Sequence, residues 1–275
     1  MLRGCTGPGK HQWRGDLIPS DIVSKFDTSR EYVRWARDAI KELQATLSVF
    51  VEQSGGGIVI EKDPKTGIVV EKLRFSESIP GGLRRRATES LLHCRHAFDQ
   101  ATFTARNIVS GRSNDSIYYP WAQTPVDLER RLSRLDEQLR DVFRKHEPYP
   151  RSDAYPGGND VIRALARLAN NKHTVGLSII GRILSMKHPE IKGSLDLLEI
   201  GLPKWDPEKG EATLMRWKGD AEVTGHYDFE FEVVLDDPCL PMPVNAIGGL
   251  TDFAAMASHV IETLQAACLS LASRT

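Results

Sequence analysis

Val33, Ala36, Ile40, Leu43, Leu47 and Phe50 recur at alternating spacings of three and four, which puts them on one helical face. The run predicts a first helix, opened by a capping box at Thr28-Ser29-Arg30-Glu31 and stopped by Gly55-Gly56-Gly57. Its stripe is narrow and wants a helical partner. Two β-branched runs follow, Ile58-Val59-Ile60 and Ile68-Val69-Val70, flanking Asp63-Pro64-Lys65-Thr66-Gly67. That turn chemistry predicts a β-hairpin from Ile58 to Phe75. A second helix starts after Pro80-Gly81-Gly82 and ends near Gly111, burying Leu83, Ala87, Leu91, Cys94, Phe98, Ala101, Ala105 and Ile108. A third opens with Thr124 as N-cap and Pro125 in the first turn, lined by Leu128, Leu132, Leu135, Leu139 and Val142. The segment from Glu147 to Gly158 is rich in Pro, Gly and Tyr and reads as a loop. A fourth helix runs from about Asp160 through Val161, Leu165 and Leu168 to Asn171.

After His173 the period shortens. Val175 to Leu184, Leu195 to Ile200, Ala212 to Trp217 and Tyr227 to Leu235 are β-prone runs separated by Gly, Pro and charges. Phe229, Phe231 and Val233 alternate with Glu230 and Glu232, as a half-buried strand requires. A closing helix from about Thr251 to Ala272 buries Phe253, Ala257, Val260, Leu264, Cys268 and Leu271. The expected fold class is α+β: a helical bundle with a β-hairpin and a small antiparallel sheet. It is expected as a single domain over 16–275, with a helical core at about 28–173, a β-rich part at about 174–240 and a closing helix at about 250–272. Residues 1–15 read as a disordered N-terminus, since Arg3, Lys10 and Arg14 stand among glycines with no apolar run of a secretory signal.

Composition narrows the partners. The net charge of −1 offers no global attraction to nucleic acid or to an anionic membrane. The run Arg84-Arg85-Arg86 reads as a solvated first helical turn. Cys5, Cys94, Cys239 and Cys268 are far apart and form no CxxC pair, which fits a reducing compartment and a cytoplasmic location. No apolar run reaches the roughly 18 residues of a membrane span, so no membrane partner is expected.

Helical phase, at about 100° per residue, divides the polar groups of the second helix into two sets. Glu89, His93, His96 and Gln100 form one set, placed towards water. Its two histidines at i, i+3 have a zinc-like spacing, yet no third ligand follows, and the set reads as a solvated face. No metal and no cofactor is expected. Arg95, Asp99 and Thr102 form the other set, at the edge of the apolar arc and within reach of a neighbouring helix. The fourth helix closes on Asn170-Asn171-Lys172-His173, and Lys172 or His173 could meet Asp99 there. Two readings follow. One is a polar clamp between the second and fourth helices, whose groups must satisfy one another because a lone buried charge is costly. The other is a small anion site: Arg95 holds phosphate by a bidentate fork, Asp99 orients His173, and His173 serves as general acid or base, with Lys172, Asn171 and Thr102 around the ligand. Tyr118, Tyr119, Trp121, Tyr149 and Tyr155, clustered near Pro120, Pro148 and Pro156, read as aromatic–proline packing over a bundle end.

The segment Leu92-His93-Cys94-Arg95-His96-Ala97-Phe98-Asp99-Gln100 resembles "lHnlRsaLDHl" in a family of uncharacterised bacterial proteins. Glu147-Pro148-Tyr149 and Asn170-Asn171-Lys172-His173 resemble that family's later "QPY" and "NxDKHR" segments, and Tyr119-Pro120 matches a Phe-Pro between them. The resemblance covers roughly Leu83 to Thr174. The family's Arg-x4-His pattern is in turn similar to the signature of the HEPN superfamily, helical bundles that include RNA-cutting toxins and defence nucleases. The resemblance implies a HEPN-like core, and a site where Arg and His act on a scissile phosphate, often across a dimer. Three positions depart from the pattern: Gln100 stands where the His would be, Asn171 replaces an acidic residue, and Thr174 replaces a basic one. Gln exchanges no proton near neutral pH. The leading expectation is therefore a non-catalytic bacterial protein with a polar clamp or small-ligand site. The alternatives are a metal-independent ribonuclease using Arg95 and His173 on RNA, and a module that homodimerises through its helices.

Overall fold

The computed structural model describes residues 18–53, 57–74, 80–111, 117–170, 175–200, 205–206, 209–238, 240 and 242–274. The expected disordered N-terminus and Asn171, Lys172, His173 and Thr174 lie outside them. The fold is mixed α+β with antiparallel sheets. The chain divides into two compact units. One takes its described residues from Met1–Asp38, Glu89–Lys172 and Leu250–Thr275, the other from Ala39–Thr88 and His173–Gly249.

The first unit is helical. It opens with α1 (Pro19–Lys25), a short helix with proline in its first turn, which the sequence reading did not expect. Ile22 and Phe26 are fully buried at the join to α2 (Asp27–Gln53). Because α2 already begins at Asp27, Thr28 is a helical residue and the expected capping box is not formed. Val33 and Ala36 of the stripe are buried, as expected. The α3 helix (Gly81–Ser110) buries Leu91, Cys94, Ala97, Phe98, Ala101, Ala105 and Ile108 in this unit, and Gly111 follows it at φ 66.

The expected third helix is two helices, α4 (Pro125–Leu132) and α5 (Glu137–His146). Thr124 does cap α4, accepting from Asp127 N at 3.1 Å. At the break, side chains take backbone carbonyls: Ser133 Oγ donates to Arg130 O at 2.7 Å, and Arg140 Nε donates to Leu135 O at 3.1 Å. Phe143 and His146, rather than Val142, complete the buried face of α5. Glu147 ends α5 in the left-handed region at φ 46. Its carboxylate accepts from Tyr149 Oη at 3.1 Å and Gly158 N at 3.2 Å, which folds the Tyr-rich loop back onto the helix end. The α6 helix (Asp160–Asn170) follows, with Asn159 Oδ1 accepting from Ile162 N at 3.0 Å. The closing helix, α7 (Ala246–Ala272), meets α2 through Arg37 and Ser258 at 3.0 Å. It meets α5 through His146 and Thr263 at 2.8 Å.

The second unit holds the strands. β1 (Gly57–Lys62) and β2 (Val69–Arg74) form the expected hairpin, with Lys62 opposite Val69. Asp63 organises the turn: its carboxylate accepts from Lys65 N at 2.9 Å and Thr66 Oγ1 at 2.7 Å. Gly67 sits at φ +71 with open space where a Cβ would go. Gly67→Ala should therefore cost about 1–2 kcal/mol through backbone conformation alone, with Asn tolerated better. Urea midpoints check this, and an alanine variant as stable as the parent would refute the turn geometry.

The hairpin is one edge of a five-stranded sheet, β1-β2-β6-β4, in which β5 (Trp205–Asp206) also pairs with β6 (Glu211–Gly219) and β4 is Leu195–Ile200. On one face, Lys72 and Arg74 each bridge Glu61 and Glu211 at 2.5–3.0 Å. A second sheet joins β3 (Leu177–Lys192), β7 (Glu222–Leu235) and β8 (Val244–Asn245). Met215, Trp217, Ala221 and Val223 form a buried cluster where β6 turns into β7.

Candidate functional site

Arg95 and Asp99 stand one turn apart on α3, both partly buried, in the helical unit. The Arg95 Nε lies 3.8 Å from Asp99 Oδ2, too far for a hydrogen bond. The guanidinium instead donates through Nη1 to the Ala169 carbonyl at 3.2 Å and to the Asn170 side chain. Both acceptors close α6, where unsatisfied helix-end carbonyls favour a cation. Trp121 lies beneath, with the Arg95 Cζ 6.0 Å from its ring centre.

Asp99 turns the other way. Its Oδ1 accepts from Tyr119 N at 2.9 Å and from Trp121 Nε1 at 3.2 Å. It thereby ties α3 to the segment 117–122, whose Tyr119 is buried against Phe98, Trp121, Phe143 and His146. Burial raises the Asp99 pKa, and the two hydrogen bonds and the Arg95 charge offset only part of that rise.

Thr102 is fully buried, and its hydroxyl donates back along the helix to Phe98 O at 2.9 Å. Lys172, His173 and Asn171 lie outside the described residues, so the expected meeting of Asp99 with Lys172 or His173 does too. The polar set placed towards water holds for the exposed His96 and needs correction at His93. The His93 ring is half-buried, 6.1 Å from Tyr32 and 5.5 Å from Trp35, and His96 lies 5.4 Å from Tyr32. The start of α2 supplies these aromatic neighbours, a contact that the phase of α3 alone does not contain. Burial, and next the neighbouring His96, hold the His93 imidazole below its ordinary value.

An open pocket of about 330 Å³ lies beside Asp99. Asp99, His96 and Gln100 contribute its polar wall, Tyr32, Phe103 and Tyr118 its rings, and Ile117 an apolar side. This is the small end of the range for ligand pockets. Asp99 and Gln100 were singled out by sequence, and Tyr118 was placed only in packing. Tyr32, Phe103 and Ile117 were missed. The period of α3 put Phe103 outside the apolar arc, which was the available signal.

No family model, curated protein or solved structure matches this chain. The site is therefore read from its own chemistry. Among the described residues, no group of three His, Cys, Asp or Glu is placed to hold a metal ion. Cys94 and Cys268 are buried, and burial pushes both thiols up to about 12, which keeps them from acting as nucleophiles. Among the described residues, no helix is long and apolar enough to cross a membrane. What the arrangement can do is hold two segments against α3 and offer a carboxylate, a carboxamide and aromatic rings to a small guest.

Proposed function

We propose that this chain is a non-catalytic binding protein in which Arg95 and Asp99 form a polar clamp that also walls a small-ligand pocket. One observation carries the reading: Asp99 belongs to both features, with Oδ1 holding the 119–121 segment and the carboxyl group lining the pocket. Arg95 supports it too, because its guanidinium is engaged by the end of α6 and does not line the pocket. The order of Arg95, Asp99 and Gln100 on one helix supports a HEPN-like origin for the helical unit, with carboxamide in place of imidazole at residue 100. A ribonuclease reading keeps one favouring observation, that His96 shares the pocket with Asp99.

Incubation of the purified chain with total RNA separates the two readings. The wild type, Arg95→Ala, His96→Ala and His173→Ala are expected to leave RNA equally intact. Cleavage by the wild type that any of these substitutions abolishes would overturn the non-catalytic reading. In parallel, Arg95→Ala should lose about 1.5–3 kcal/mol of stability, the range for hydrogen bonds to charged groups. Thermal melting reads that loss, and an unchanged melt would remove the clamp.

A further inference from the structure

The pocket beside Asp99 has a charge sign. Among the described residues its lining holds one carboxylate, the His96 imidazole, and neither lysine nor arginine. The Arg95 guanidinium is drawn towards the C-terminal end of α6, whose backbone carries roughly half a negative charge. It stands 3.8 Å from Asp99 Oδ2, outside hydrogen-bond range but close enough for its charge to act on the carboxylate. Asp99 Oδ1 already accepts two donors, while among the described residues Oδ2 has no donor within hydrogen-bond distance. A phosphate placed here would face the Asp99 carboxylate.

Around that carboxylate stand Tyr32, Phe103 and Tyr118, the last with 65% of its surface exposed. Aromatic rings with one acid are the donor set that attracts a substituted ammonium, because ring faces draw cations whose hydration is weak. Gln100 adds an oxygen that accepts from an N–H or O–H on the guest. At about 330 Å³ the pocket has room for a head group of this kind and for part of the molecule that carries it.

We propose that the pocket binds a compact organic cation, an alkylated ammonium head, held by Asp99 and the rings of Tyr32, Phe103 and Tyr118. The assignment rests on the small-ligand reading above and names its ligand class. The head could belong to a free molecule or to a methylated lysine side chain. Choline and a short peptide bearing trimethyllysine are the probes for these two sources.

Two resonances report directly on the site, the Tyr119 amide and the Trp121 indole N–H, since both donate to Asp99. Titration of the full chain with choline or the peptide should move them saturably, with Kd on the order of 1 mM or tighter. Whichever probe binds tighter identifies the source. The uncharged isostere 3,3-dimethylbutan-1-ol should bind about tenfold more weakly than choline. Asp99→Asn retains the Oδ1 acceptor and should weaken choline binding to a similar degree, while Tyr118→Ala, at an exposed ring, weakens it with the fold intact. Equal binding of isostere and choline, or saturable binding of inorganic phosphate in place of choline, overturns the cation assignment and leaves a small-ligand site. Silence of both resonances to every probe overturns the cation assignment and the small-ligand reading together.

Discussion

Replacing Tyr119 with alanine is expected to lower the unfolding free energy by about 3–5 kcal/mol, the range for deleting a buried aromatic ring. Only 2% of Tyr119 is exposed. Its ring packs against Phe98 at 4.8 Å, Trp121 at 4.7 Å, Phe143 at 5.7 Å and His146 at 6.1 Å, so it joins α3, α5 and the 117–122 segment. A companion substitution tests the sign of a different effect. Among the described residues the Tyr119 hydroxyl is buried with no hydrogen-bond partner, and burial pushes its pKa well above the ordinary value. An unpaired hydroxyl costs about 1–3 kcal/mol to bury, so Tyr119→Phe should be neutral or stabilising. Urea denaturation followed by tryptophan fluorescence measures both. A loss below about 1 kcal/mol for the alanine variant, against the range above, would show that the ring is not the hub of this packing.

The second large effect concerns Asp99. Asp99→Ala leaves the Tyr119 backbone N–H and the Trp121 indole N–H without their acceptor. Each stranded donor costs about 1–3 kcal/mol, and release of the buried carboxylate returns part of that, so a net loss of about 2–4 kcal/mol is expected. Asp99→Asn behaves differently because its Oδ1 can keep both bonds without a charge. Folding raises the Asp99 pKa, which means that the folded chain holds the carboxyl proton more tightly than the unfolded one. The stability this provides is complete below the ordinary value of 3.8 and is lost as pH rises through the higher folded value. The Asn variant has no such loss. The stability of the wild type relative to Asp99→Asn should therefore fall as pH rises above 3.8 and then level off. A flat difference across that window would show that folding leaves the Asp99 carboxyl unshifted, and an opposite one that Asp99 folds with its charge favoured.

These two side chains show which parts of the site were legible in the sequence. The spacing of Leu91, Cys94, Phe98, Ala101 and Ala105 places Arg95 and Asp99 at the edge of a buried arc, because helical phase is a local property. Their partners are not local. Arg95 reaches residues 74 and 75 positions away, and Asp99 reaches 20 and 22. Nothing in the period of α3 distinguishes the end of α6 from the 119–121 segment as the neighbour of either. His93 makes the same point in reverse: phase sent it to water, and Tyr32 and Trp35 of α2 covered it.

The strands after Val175 and the hairpin at Asp63 were readable because alternation and turn chemistry act over a few residues. That the hairpin continues into a larger sheet was not readable, since the pairing of β2 with β6 joins Val69 to Trp217 across the chain. Even the α4–α5 break escaped periodicity. Leu128, Leu132, Leu135 and Leu139 keep helical spacing through it, while the hydroxyl of Ser133 and the guanidinium of Arg140 take the carbonyls there. Sequence alone determined most of the elements and that Arg95 and Asp99 border the core, because dihedral preference and burial phase are set by near neighbours. Tertiary structure alone decided that Asp99 anchors a loop, that Arg95 is engaged at a helix end, and that a pocket with one carboxylate opens between rings. Those facts depend on which distant segment pays out its donors to which acceptor, and only packing fixes that.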